Sequence, residues 1–280
     1  SETDIAITGW GSPMLPPPQK DWKLRYVCHM TGEMRRAYIP ISYLESNIPV
    51  TNWGDAFSFA TAEGSIALLF SVLKAIPEID KRIRLPGPEK WCRPQLTSLF
   101  KARVGIYGLS TIGSIVAEWL KPYRPVISFY DPTVKIPPLD IIRYGSLREL
   151  FSNNDILMVH AGLNDATQHS IDYPLLSLLP PGGVFINMAR GAIVKEADLA
   201  RIAGEGKIRV GVDVIDDEKE WFASPLAKAP NVVFSGHMMS QLGRIERQVL
   251  QEIAMDNIKR FVEDKPLLHR VSPERYKIMS

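Results

Sequence analysis

RVGIYGLSTIGSIVAEWL, residues 103–120, is the stretch whose reading decides the fold. A short apolar run leads into Gly108, Ser110 and Gly113 follow at the spacing G-x-S-x-x-G, and an amphipathic helical pattern begins at once. In a turn of this kind the first glycine permits a tight bend, the second position lets backbone approach a phosphate, and the last glycine packs helix against strand. The helix N-terminus then presents its partial positive charge to that phosphate. Alone, the motif is also that of an ordinary strand-to-helix turn.

Context sharpens it. The next apolar run, PVISFYDP, ends in Asp131, 18 residues past Gly113 and close to the roughly 20 expected for an acid that accepts hydrogen bonds from a ribose. Such a carboxylate repels a 2′-phosphate, so NAD is expected in preference to NADP. Asp131 before Pro132 reads equally as a strand-end turn. Ser110 either occupies space that the pyrophosphate needs or donates its hydroxyl to a phosphate oxygen.

Outward from this stretch, apolar runs at 103–107, 126–130, 156–159, 184–187, 210–214 and 232–235 alternate with helical patterns at 112–120, 147–151, 173–179 and 197–203. That alternation marks an α/β chain with a doubly wound parallel sheet covered on both faces. Long helical patterns at 60–76 and 241–263 flank it. The expected organisation is a nucleotide domain over 81–240 inserted into a smaller domain made of 1–80 and the return at 241–280. Pro86, Gly87 and Pro88 mark one crossover, and Pro13, Pro16, Pro17 and Pro18 mark an irregular or extended start.

Composition excludes several classes. The 280 residues are 45% hydrophobic, with 33 Lys and Arg against 31 Asp and Glu and no long run of like charge, so nucleic acid is not an implied partner. The longest apolar stretch, 66–73, is far short of the roughly 20 residues of a membrane span. SETDIAITGWG opens on Ser rather than Met and lacks the basic region and apolar core of a signal peptide. Cys28 and Cys92 make neither a disulfide framework nor a metal pair, so a reducing cytoplasm and no metal are expected.

Three further segments, FINMARG, GVDVIDDE and VVFSGH, each put polar residues just past a predicted strand, where ligands bind in open α/β sheets. The guanidinium of Arg190 suits a bidentate carboxylate, although an arginine beside Gly191 is also ordinary turn surface. His237 titrates in the range that suits proton transfer at neutral pH, and it is one of five histidines. Glu218 supplies a carboxylate that would raise its pKa, within a loop that Asp216, Asp217 and Glu220 also make simply acidic.

Taken in order, ATAEGSIALLF from Ala60, VGIYGLSTIG, FYDP, DILMVHAGLNDATQHSI, INMARGAIVKEADLARI, GVDVIDDE and SGH resemble the D-isomer-specific 2-hydroxyacid dehydrogenases over nearly the whole chain. The resemblance implies a Rossmann nucleotide domain inserted into a flavodoxin-like substrate domain, here N-terminally shortened by a strand and a helix. It implies hydride transfer between NAD(H) and a small 2-hydroxy or 2-keto acid. Arg190 would bind the substrate carboxylate and carbonyl, His237 would be the acid/base, and Glu218 would orient and charge it. Cofactor contacts are implied at Gly108, Ser110, Thr111, Ile112, Gly113, Asp131, Ala161, Thr167, Met188, Asp213 and Ser240. Substrate contacts are implied from backbone amides of the loop through Thr31, Gly32, Glu33 and Met34, and a homodimer is implied as well. The alternative is a nucleotide-sensing protein resembling the corepressors that share this fold. Ser110, Gly162, Gly236, Lys219 and Ser240 depart from the family pattern, and none of these changes removes a charged catalytic group.

Overall fold

The computed structural model describes all residues except Ser1, Glu33, 35–37, 88–93, Pro137, Leu139, 241–242 and 279–280; of residues 244–246 and 278 only the backbone is described. Pro88 and Cys92, and Glu33 of the expected substrate loop, therefore lie outside the described residues. The chain forms two compact units, one from residues 58–241 and the other from residues 1–57 together with 242–280.

The larger unit carries a seven-stranded sheet in which every neighbouring pair is parallel. Its strands are β4 (Arg103–Tyr107), β5 (Val126–Tyr130), β6 (Ile142–Arg143), β7 (Ile156–Val159), β8 (Gly183–Asn187), β9 (Ile208–Val212) and β10 (Val232–Phe234), in the order β10-β9-β8-β7-β4-β5-β6. The order reverses between β4 and β7, which opens a crevice at their carboxyl ends. Strand residues alternate between two cores. Ile156, Met158, Val184 and Ile186 face one, against α2 (Ser58–Leu73) and α4 (Thr111–Leu120). Leu157, Val159 and Phe185 face the other, with residues of α5 (Leu147–Ser152) and α7 (Glu196–Gly204). Continuous apolar strands follow from burial on both faces.

The first helical pattern joins this unit rather than ending a domain near residue 80. Ala62, Leu68, Leu69, Val72 and Leu73 of α2 are buried in its core. The helix lies so close to β9 that a Cβ on Gly211 would stand 2.9 Å from Val72 and 3.1 Å from Leu68. The seventh strand, β6, is a two-residue edge strand with both residues exposed, and it has no apolar pattern to announce it.

The smaller unit has a parallel sheet of β1 (Ile5–Thr8), β2 (Tyr26–His29) and β3 (Val50–Thr51) in that spatial order. β1 precedes Pro13, and residues 13–19, which hold Pro13, Pro16, Pro17 and Pro18, form neither helix nor strand, as those prolines lead one to expect. Along α8 (Arg244–Val262), Ala254 shares a core with Tyr26, and Phe261 stacks on the same ring at 4.9 Å. Buried Asn257 donates to Leu268 O and accepts from Leu268 N–H, fixing the return of the chain. Among the described residues, no single helix is long and apolar enough to cross a membrane.

Candidate active site and dinucleotide cradle

The glycine turn is built as its spacing predicts. Gly108 adopts φ +92°, and a Cβ there would stand 2.5 Å from Ala161 N, so the ends of β4 and β7 close together only around glycine. A Cβ on Gly113 would come within 2.1 Å of Gly108 O, which brings the first turn of α4 against the strand end. Ser110 sits at the N-cap with extended backbone (φ −79°) and makes no capping hydrogen bond. It is exposed, so its hydroxyl and the first amides of α4, at Thr111 and Ile112, are not consumed by a side-chain cap. The position does not demand glycine by φ, and serine is accommodated.

Asp131 directly follows β5 and is buried. Its Oδ2 accepts Leu109 N–H at 2.9 Å, and its Oδ1 accepts the N–H and Oγ1–H of Thr133 at 2.8 and 2.6 Å. The carboxylate is thereby fixed beside the glycine turn, with lone pairs left over for ribose hydroxyls. A cradle of glycine backbone, open helix amides and an oriented carboxylate fits a dinucleotide.

Arg190, Glu218 and His237 come together past the ends of β8, β9 and β10. Nδ1–H of His237 donates to Glu218 Oε2 at 2.7 Å. That hydrogen bond holds the imidazolium above its ordinary range, desolvation and the Arg190 guanidinium oppose it, and Asp213 adds to it. With Nδ1 engaged, Nε2 is the nitrogen left for proton transfer. Gly236 and His237 both take left-handed backbone, φ 67° and 56°, and His237 N–H donates to Asp213 O at 2.6 Å. Buried Asp213 is itself fixed, its Oδ1 accepting Ser235 Oγ–H at 2.6 Å.

Arg190 is half-buried and oriented from both sides. Nη1 donates to Ala189 O at 2.7 Å, and Asn187 Nδ2 donates to Arg190 O at 3.0 Å. The next residue, Gly191, packs against the loop that leads to Glu218, where a Cβ would fall 2.0 Å from the carbonyl of Ile215. Sequence reading misses Glu196, whose carboxylate accepts Asp216 N–H at 2.7 Å and Ser224 Oγ–H at 2.6 Å and so shapes that acidic loop. Its only signal is an acid opening α7.

Other expected contacts are placed less directly. Met188 and Ala161 lie buried at the ends of β8 and β7. Thr167 uses its hydroxyl within its own loop, donating to Gly162 O at 2.7 Å. Ser240 is half-buried in the turn past His237. In the smaller unit, Gly32 is half-buried, whereas the Met34 side chain belongs to the hydrophobic core, so only backbone remains there for a ligand.

Residues 66–239 match the family described as D-isomer specific 2-hydroxyacid dehydrogenase, NAD binding domain. The chain is 34% identical to a glyoxylate/hydroxypyruvate reductase of Arabidopsis thaliana, over 80% of its own length and 69% of the relative's. It is 37% identical to hydroxyphenylpyruvate reductase of Plectranthus scutellarioides, over 80% and 71%. Among solved structures, it superposes on an NADPH-dependent glyoxylate/hydroxypyruvate reductase of Sinorhizobium meliloti with a TM-score of 0.82 at 25% identity, covering 99% of this chain and 85% of that one. The chain therefore belongs to the D-isomer-specific 2-hydroxyacid dehydrogenases, oxidoreductases that act on CH–OH donors with NAD or NADP.

Proposed function

We propose that the protein interconverts a small 2-keto acid and its 2-hydroxy acid, with His237 as the acid/base. The observation that carries this reading is the 2.7 Å pair between His237 and Glu218, close enough to Arg190 for its charge to act on the imidazole. Bound NADH supplies the hydride. Arg190 holds the substrate carboxylate and polarises the adjacent carbonyl. His237 gives its Nε2 proton to the carbonyl oxygen, and Glu218 keeps the ring charged until then. In the smaller unit, the backbone amides at Thr31 and Gly32 are assigned to the substrate carboxylate.

NAD is preferred over NADP, because the fixed carboxylate of Asp131 repels a 2′-phosphate. Ser110 donates its uncapped hydroxyl to a phosphate oxygen, and Gly108, Thr111, Ile112, Gly113, Ala161, Thr167, Met188, Asp213 and Ser240 complete the cofactor contacts. The protein works in the cytoplasm as a homodimer. Pairing is supported by α3 (Ile76–Ile83), which buries none of its own residues and exposes Ile76, Ile79 and Ile83 at helical spacing.

Titrating NADH and NADPH into the protein by fluorescence, then following absorbance loss with a panel of 2-keto acids, tests the reading. The expected result is tighter NADH binding and turnover that His237→Ala lowers at least a hundredfold. Binding without turnover of any 2-keto acid would instead assign a nucleotide-sensing role.

A further inference from the structure

The smaller unit has a ligand-binding edge of its own by topology. β1, β2 and β3 run parallel, so the segments leaving their carboxyl ends gather on one edge, where open α/β sheets take ligands. The central strand, β2, leads to Gly32. The strand on one side leads to Trp10, and the strand on the other leads to Trp53.

These three positions touch. A Cβ on Gly32 would stand 2.8 Å from Trp53 Nε1 and 3.1 Å from Cε2 and Cζ2, so the indole lies against bare backbone. Trp10 meets Trp53 edge to face, with ring centroids 5.2 Å apart and an interplanar angle of 71°. Buried Phe57 backs Trp53 from 4.6 Å. The turn carrying Trp10 is held by Ser12 N–H donating to Gly9 O and by Gly9 N–H donating to Ser12 Oγ. Tyr38 O–H donates to Trp10 O at 3.2 Å. Trp10 is thus held in place while 58% exposed. A large indole fixed at the rim of a ligand edge, and not folded into a core, offers a flat apolar surface to something that binds there.

We propose that Trp10 and Trp53 are specificity-determining residues that select a 2-keto acid carrying an aromatic ring on C3, the arylpyruvate class, over one with no side chain. This rests on the reading that the Thr31–Gly32 amides take the substrate carboxylate. A carboxylate on Gly32 leaves the rest of a short acid within reach of the indole lying against that residue. A C3 aryl ring then meets Trp53 and Trp10 in edge or offset contact, whereas glyoxylate reaches neither.

The test compares kcat/KM for phenylpyruvate and glyoxylate, with NADH saturating, in wild type, Trp10→Ala and Trp53→Phe. Wild type is expected to favour phenylpyruvate at least tenfold. Trp10→Ala should lower phenylpyruvate kcat/KM at least tenfold, mainly through KM, while glyoxylate changes less than threefold. Trp53→Phe, which keeps a ring against Gly32, should fall between the two for phenylpyruvate. A wild-type preference for glyoxylate, or an equal loss on both substrates in Trp10→Ala, overturns the assignment and leaves His237-dependent reduction standing. Absence of turnover with every 2-keto acid overturns the underlying reading and this one with it. The wild-type comparison needs no variant to fold.

Discussion

At the scale of single residues, the site depends on a histidine held in a backbone conformation it does not favour. A non-glycine residue in the left-handed region costs roughly 1–2 kcal/mol, and His237 is kept there by the hydrogen bond to Asp213 O and by its pairing with Glu218. In the proposed reaction its proton is the one spent in reduction, and Glu218 raises its pKa. Reduction should therefore decline as pH rises through the His237 pKa, and in Glu218→Gln the decline should begin at lower pH. Superimposable kcat/KM profiles for the two proteins would show that Glu218 does not charge the ring. Gly191 permits a second test. Its missing Cβ would strike the Ile215 carbonyl, which is backbone and cannot swing aside. Gly191→Ala should cost about 1–3 kcal/mol in urea unfolding and should displace Arg190 from the loop that carries Glu218.

At the scale of elements, the carboxyl end of β7 leads into a histidine with no catalytic assignment, whose N–H donates to Tyr107 O of β4. His160 follows β7 and is buried, with Ser65 of α2 3.3 Å from Nε2, and burial lowers its pKa to about 4. In the unfolded chain it takes a proton near 6.5, in the folded chain only near 4. Between those values the unfolded state binds more protons, so stability falls as pH drops through that window, by on the order of 3 kcal/mol in total. His160→Leu should flatten this acid limb when urea midpoints are measured from pH 7 to 4. An unchanged slope would mean that other groups dominate it. The elements around the crevice between β4 and β7 are legible in the sequence, because each strand end carries its own chemical mark: Gly108 and Gly113 after β4, Asp131 after β5, Arg190 after β8, His237 after β10. The smaller sheet is not, since β1 and β2 are four residues each and β3 only two, set among prolines and without alternation. Nor is Glu196, whose partners Asp216 and Ser224 lie 20 and 28 residues away. A contact made by tertiary folding alone leaves no local pattern to read.

At the scale of the whole molecule, the exposed stripe of α3 carries a prediction about assembly. Ile76, Ile79 and Ile83 stand 52%, 41% and 53% exposed, while Glu78 and Arg82 pair along the same helix. Ile79→Glu together with Ile83→Glu should convert a dimer to a monomer in sedimentation equilibrium, without loss of NADH binding. A wild type that sediments as a monomer would refute the pairing. The division into units has a further effect, on the order of events during synthesis. Residues 58–241 are one continuous stretch, whereas the smaller unit needs residues 1–57 and residues 242–280 at once. Tyr26 of β2 waits for Phe261, and Val50 O waits for Val271 N–H. On the ribosome the buried strand β2 emerges early and meets α8 only at the end. Compaction of the middle shortens the loop that must close before the ends can meet. Residues 58–241 made alone should melt cooperatively, and in the intact chain any slowing of their folding should prolong the time the N-terminal segment spends as a chaperone client.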